Sequence, residues 1–238
     1  MTHEHIAAVF DRDLERIQAL VMKMGGLAEA ALNDAATALE ARDGELAERV
    51  RAGDAALDAL EEEINAECAK VIALRAPTAG DLRTVLTVMK IASALERCGD
   101  YAKNLARRSL VLAEMPRVEG AAGSIRRMAR QVGLLLRDAL DAYARRDAEL
   151  AREVRARDEE VDQMYGALFR EFVTHMMADP RLISPCLHLH FIAKNIERVG
   201  DHATSIAEQV IYLVSGALPG EERPKDEGAT LGQPGRGL

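Results

Sequence analysis

Apolar residues recur at steps of three and four along most of the chain, the spacing that lines one face of an α-helix. The first run extends from Ile6 to Ala41 through Val9, Phe10, Leu14, Ile17, Leu20, Val21, Met24, Leu27, Ala31 and Leu39, with Gly25-Gly26 as a possible bend. Asp43-Gly44 interrupts the pattern, and a second helix is predicted over 45–74, closed by Arg75-Ala76-Pro77. Thr78 is an N-cap for a third helix that reaches about Leu112, with Asp81 in the place of the capping-box acid. Met115-Pro116 to Gly123 is a mid-chain cluster of Pro and Gly and marks a junction. Beyond it, helices are predicted over 124–145 and 148–178 and, after a break at Asp179-Pro180, from Ser184-Pro185 to Ser215, with Ser at the N-cap and Pro at the first helical position. The expected fold is all-α, with three helices on each side of the junction.

The two sides are copies of one plan. Shifting residues 42–58 by 104 positions gives identity at ten of seventeen, including Arg42 with Arg146, Asp43 with Asp147, Asp54 with Asp158 and Asp58 with Asp162. The stretch Ala94-Leu95-Glu96-Arg97-Cys98-Gly99-Asp100 returns 101 positions later as Asn195-Ile196-Glu197-Arg198-Val199-Gly200-Asp201. A period near 100 residues is too long for a solenoid unit, so two tandem three-helix bundles are expected, similar to spectrin repeats. Their bounds are 1–115 and 116–218. Residues 219–238 hold three of the seven prolines and five of the seventeen glycines with few large apolar residues, and are expected to be a disordered tail.

The repeats carry paired acids. Residues four apart share a helix face, so Glu96 with Asp100, Glu197 with Asp201, Asp54 with Asp58 and Asp158 with Asp162 are each a like-charge pair. Glu96 and Asp100 fall on a stripe with Leu82, Leu86, Met89 and Ser93, read as mostly apolar and inward-facing. In an antiparallel hairpin, facing residues share a constant index sum. Asp54 with Asp100 and Asp58 with Glu96 share one sum, centred on Pro77; the four second-half acids share another, centred on Asp179-Pro180. Each half should therefore gather four carboxylates at one level. Such a set needs a counter-charge, because like charges in a partly dry site raise one another's pKa. Arg97 and Arg198 could supply it as ion pairs, or a metal could. An all-carboxylate site favours hard cations such as iron, manganese, magnesium or calcium. Gly99 and Gly200, mid-helix in both copies, suggest close helix approach or ligand access.

Composition narrows the function. A net charge of −8 and 3% aromatic residues argue against a nucleic-acid partner. Cys68, Cys98 and Cys186 lie far apart in apolar helical stretches and read as buried thiols. Met1 to Phe10 lacks the pattern of a signal peptide, and no run approaches the ~18 apolar residues of a membrane span, so a cytoplasmic protein is expected, touching membrane only through partners. The six histidines form no Glu-x-x-His motif, which disfavours a ferritin-like di-iron enzyme; a metal-free structural adaptor is the other alternative. No nucleophile–base pairing, phosphate-cradling loop or dinucleotide fingerprint is present, so no catalysis is expected.

Met24-Gly25-Gly26-Leu27, Pro77-Thr78-Ala79-Gly80-Asp81-Leu82-Arg83 and both Glu-Arg-x-Gly-Asp stretches resemble the PhoU family, and the resemblance covers roughly Ile6 to Ser215. It implies two three-helix bundles, often dimeric, with surface clusters of iron or zinc. The family's acid pattern falls on Asp54/Asp58, Glu96/Asp100, Asp158/Asp162 and Glu197/Asp201. The resemblance also implies a negative regulator linking the ATP-binding subunit of a phosphate ABC transporter to a PhoR-type sensor histidine kinase.

Overall fold

The computed structural model describes residues 2–220, with side chains from Phe10 onward; the expected tail beyond Gly220 lies outside the described residues. Among the described residues every regular element is helical: α1 (Thr2–Ala41), α2 (Gly44–Arg75), α3 (Ala79–Ala113), α4 (Ala121–Arg145), α5 (Ala148–Ala178) and α6 (Ile183–Ser215), with a 3₁₀ turn at Pro180–Leu182. α1 runs unbroken through Gly25-Gly26. A Cβ at Gly25 would collide with Leu140 of α4, so the glycine makes room for that side chain.

The duplicated Arg-Asp pairs build matching turns. Arg42 and Arg146 both adopt the left-handed conformation (φ 54° and 52°), ending α1 and α4. The next residue caps the following helix: Asp43 accepts from the Leu46 N–H at 2.9 Å, and Asp147 from Glu149 and Leu150 at 3.0 Å each. α4 begins at Ala121, three residues before the expected start, after Gly120 in the left-handed conformation, and two expected caps differ. Thr78 flanks α3 but bonds no backbone N–H; its hydroxyl turns to Asp81 instead. α6 begins at Ile183, because the Pro180–Leu182 turn runs directly into it, so Ser184 is not its cap. Pro185 still sits in the first turn, where a missing N–H leaves no bond unmade.

α2 packs on α1 and α3, α5 packs on α4 and α6, and the two bundles meet through α1 against α4 and α3 against α6. Their buried apolar side chains form one continuous core, including Leu32, Ile91, Leu95, Leu135 and Phe172. Ion pairs of Glu40 with Arg126 and Glu29 with Arg137 clasp α1 to α4. Along α3 and α6, Arg108 with Phe191, Arg198 with Tyr101 and Arg83 with Gly216 are contacts that share an index sum of 299. Gly99 and Gly200 share that sum too. Because the repeat relates position i of α3 to i+101 of α6, the approximate two-fold axis of the duplication passes between these two glycines. Both Glu-Arg-x-Gly-Asp stretches therefore cross at the centre of the molecule.

Candidate metal centre

Each crossing stretch turns its acids toward the outer helix of its own half. Asp54 on α2 is buried and accepts a hydrogen bond from the ammonium of Lys103 on α3. The same ammonium lies 4.0 Å from Asp100 Oδ1, so it stands between the two acids that share an index sum. Arg97 lies 3.6 Å from Glu96 Oε2 and 3.8 Å from Asp100 Oδ2. Burial first, then the charge on Asp100, push the Glu96 carboxyl above its ordinary value, against the Arg97 charge; Glu61 and Asp58 add to the push. The stripe expected to face inward does not. Leu86 and Ser93 are exposed, and the buried stripe of α3 is Val85, Val88, Ala92, Leu95, Gly99 and Ala102. Glu96 and Asp100 sit at its edge, within reach of both water and α2, because two ionised carboxylates at four-residue spacing are too costly to bury fully.

In the second half the acids have a different cation. Glu197 Oε1 accepts from Lys194 Nζ at 2.7 Å, while Glu197 Oε2 is buried with no hydrogen-bond partner. Burial raises the Glu197 carboxyl; Lys194 opposes that, and Asp201 and Asp162 reinforce it. Asp158 Oδ1 lies 3.3 Å from where a Cβ on Gly200 would stand, and Asp54 Oδ1 3.5 Å from the same point on Gly99. The glycines thus keep room beside the outer-helix acids. At Gly99 a methyl would also drive into Leu57.

Lys103 and Lys194 were not among the residues singled out from the sequence, although each stands three positions from a signature acid, within helical pairing distance. They are not equivalents. Lys103 corresponds to Thr204, and Lys194 to Ser93. Among the described residues no three carboxylate, imidazole or thiol groups converge as a ready metal-binding set. Ammonium groups stand among the acids instead. The three cysteines are buried and unbridged; burial pushes Cys68 up to about 11 and Cys98 up to about 12, far from any thiolate role.

The PhoU domain family model matches residues 21–109 and 125–210, one match per half. The chain belongs to the PhoU family. It is 46% identical over 222 residues to the "Phosphate-specific transport system accessory protein PhoU homolog" of Caulobacter vibrioides (strain NA1000 / CB15N), covering 93% of this chain and 96% of the relative. It is 45% identical over 233 residues to the protein of the same description from Rhizobium meliloti (strain 1021), covering 98% of each. The crystal structure of PhoU from Pseudomonas aeruginosa is similar with a TM-score of 0.84 at 42% identity, covering 87% of this chain and 100% of that one. Those names describe accessory proteins, not enzymes. Each PhoU match contains one complete acid set, and the chemistry of the set suits a hard cation. The buried, unpartnered Glu197 Oε2 is the kind of atom such a cation would satisfy. In both halves an ammonium already holds one acid of the set, Lys103 on Asp54 and Lys194 on Glu197, and the unpartnered oxygen belongs to the second half, with Glu197, Asp201, Asp158 and Asp162. Among the described residues no helix is long and apolar enough to cross a membrane.

Proposed function

We propose that this PhoU-family chain is a cytoplasmic regulator of a phosphate transport system. It would damp uptake and phosphate-starvation signalling by linking the ATP-binding subunit of a phosphate ABC transporter to a PhoR-type sensor histidine kinase. The observation that carries this reading is the match of both duplicated halves, over 93% or more of the chain, to accessory proteins of phosphate-specific transport. The reading includes a homodimer and peripheral membrane contact through the partners alone.

The acid sets enter this reading as regulatory metal sites, for iron or zinc, with manganese or magnesium as other candidates. Asp54, Asp58, Glu96 and Asp100 would hold one site, and Asp158, Asp162, Glu197 and Asp201 the other. A bound cation supplies charge neutralisation there and no bond-making chemistry. The chain's own part is to present the oxygens at one level on a rigid hairpin, with a glycine in each copy letting the outer helix approach.

Deleting the gene should leave phosphate-starvation genes switched on in phosphate-rich medium, and normal control in the deletion would refute the regulatory role. Replacing Asp100 and Asp201 together by Ala should lower the metal content of the purified chain while helicity is retained. A folded, metal-poor double variant that still represses normally would separate the metal from regulation.

A further inference from the structure

The duplication gives an internal control for every surface feature at the α3–α6 crossing. On one side of the axis, α3 and α6 enclose a notch of about 340 Å³ lined by Lys90, Ser93, Arg97, His202, Ser205 and Gln209. The repeat-related place on the other side has Phe191 for Lys90, Lys194 for Ser93, Arg198 for Arg97, Tyr101 for His202, Asn104 for Ser205 and Arg108 for Gln209. There the space is filled. The Arg108 guanidinium lies 4.5 Å from the Phe191 ring centre, and Arg198 stacks on Tyr101 at 5.7 Å. The open notch exists because small hydroxyl residues and a flexible lysine stand where its counterpart has rings and a guanidinium plug.

The lining has a definite chemistry. Two cations, Lys90 and Arg97, face it together with the hydroxyl side chains Ser93 and Ser205, and no carboxylate lines it. Lys90 makes no ion pair, and Arg97 is held only loosely by Glu96 and Asp100, at 3.6 and 3.8 Å. Ser205 donates its own proton to the Asp201 carbonyl at 2.9 Å, leaving its oxygen able to accept. Gln209 borders the notch, and its Oε1 lies buried just behind the lining with no hydrogen-bond partner. A ligand that suits this notch carries negative oxygens for Lys90 and Arg97, and an O–H donor that draws the Gln209 amide oxygen outward satisfies the remaining buried acceptor. Fully ionised sulfate has the first and lacks the second.

We infer that the α3–α6 notch is a binding site for a small protonated oxyanion, monohydrogen phosphate being the chemistry that fits. Its oxygens accept from Lys90 and Arg97, and its remaining hydroxyl donates to Gln209. The site is separate from the acid sets, although Arg97 borders both. This inference deepens the phosphate-regulation reading but is tested independently of it, since binding is measured on the purified chain and repression in cells.

The experiment titrates inorganic phosphate, and separately sulfate, into the full chain while recording backbone amide chemical shifts. Saturable phosphate-induced shifts are expected at Lys90, Ser93, Ser205 and Gln209, with sulfate at least about tenfold weaker because Gln209 is left unpaired. Lys90→Gln should weaken phosphate binding about tenfold or more. Lys90→Phe combined with His202→Tyr, which copies two plugging residues of the opposite side, should abolish it with the melting temperature retained. No saturation by about 10 mM phosphate, or unchanged binding in both variants, overturns the site. Equal affinity for sulfate overturns the assignment to a protonated oxyanion.

Discussion

Replacing Lys103 by Gln tests how the first acid set is neutralised. The change removes the ammonium that bonds Asp54 and leaves a carboxylate whose side chain is 6% exposed without its cation. Breaking a fully buried pair costs about 3–5 kcal/mol, whereas an exposed pair contributes about 1 kcal/mol or less. Lys103 is 44% exposed, so water screens the pair and can partly replace the ammonium. An intermediate loss of about 2 kcal/mol is expected, which for a chain of this size lowers Tm by about 4–8 °C. The hydrogen bond to Asp54 raises the Lys103 pKa, outweighing the opposing effect of burial. Its stabilisation is thus complete below the ordinary lysine value and lost only as pH climbs through the higher folded value. The difference in Tm between the two proteins should therefore stay flat from about pH 6 to pH 9. Melts followed by circular dichroism in chelator, and again with Mn²⁺, complete the assay. If the ammonium stands where a cation would otherwise sit, Mn²⁺ should stabilise the variant more than the parent, by about 2.7 kcal/mol at a hundredfold excess over Kd. A Tm within about 1 °C of the parent would show that the pair contributes nothing. Equal Mn²⁺ responses would show that Lys103 and the metal do not compete.

Glu197→Gln should raise the metal-free Tm by about 2–4 °C, since it removes a buried ionised carboxyl with one unpartnered oxygen, and should abolish any metal response of that half. The raised Glu197 carboxyl makes parent stability fall as pH rises from the ordinary Glu value through the folded one, and the variant should lose that slope in a pH series of melts. Arg146→Gly should stabilise by about 0.5–1 kcal/mol by relieving a left-handed arginine, while Arg42→Gly should destabilise by about 1 kcal/mol, both read by urea unfolding. The difference arises because Arg42 donates to the Ala113 and Met115 carbonyls at 2.8 Å each. Gly99→Ala should cost about 1 kcal/mol through its collision with Leu57 despite better helix propensity, whereas Gly200→Ala should leave stability nearly unchanged and disturb Asp158, which calorimetry and elemental analysis would separate.

The helices and their pairing are legible because the apolar period is clear and the turn chemistry agrees with it at most of the breaks. Asp43 and Asp147 cap, and the two hairpins close where the index sums centre. What the sequence concealed was the third dimension of the signature. Placing Glu96 with Leu82 and Leu86 on a 100° wheel is right about angle and wrong about depth. Depth is fixed by the fourth central helix, α6, which covers a neighbouring face of α3 and leaves Leu86 in water. The role of the lysines is hidden for a related reason. Repeats draw attention to identities, while Lys103 and Lys194 occupy positions where the copies differ, at Thr204 and Ser93. The Pro180–Leu182 turn likewise lay beyond the local signals, since Ser184-Pro185 is a good helix start that a preceding 3₁₀ turn displaced by two residues.

The position of the duplication axis explains why one short stretch carries so many requirements. Glu and Asp of each copy look outward to α2 or α5, Gly lets that outer helix approach, and Arg with the residue after Asp looks across the axis to the other copy. Tyr101 and His202, which are equivalent positions, stack on each other with ring centres 5.7 Å apart, and Arg198 covers Tyr101. Burial first, then the Arg97 and Arg198 charges, lower the His202 pKa against the pull of Asp201. Arg97 therefore acts on the acids of its own half and on the residue beside Asp201 in the other. Both halves thus place charged groups within reach of the same two rings at the axis. Two identical, independent sites would need none of these crossing contacts. The chain instead breaks its own symmetry at the axis, with lysines at opposite ends of the signature, a filled notch on one side and an open one on the other.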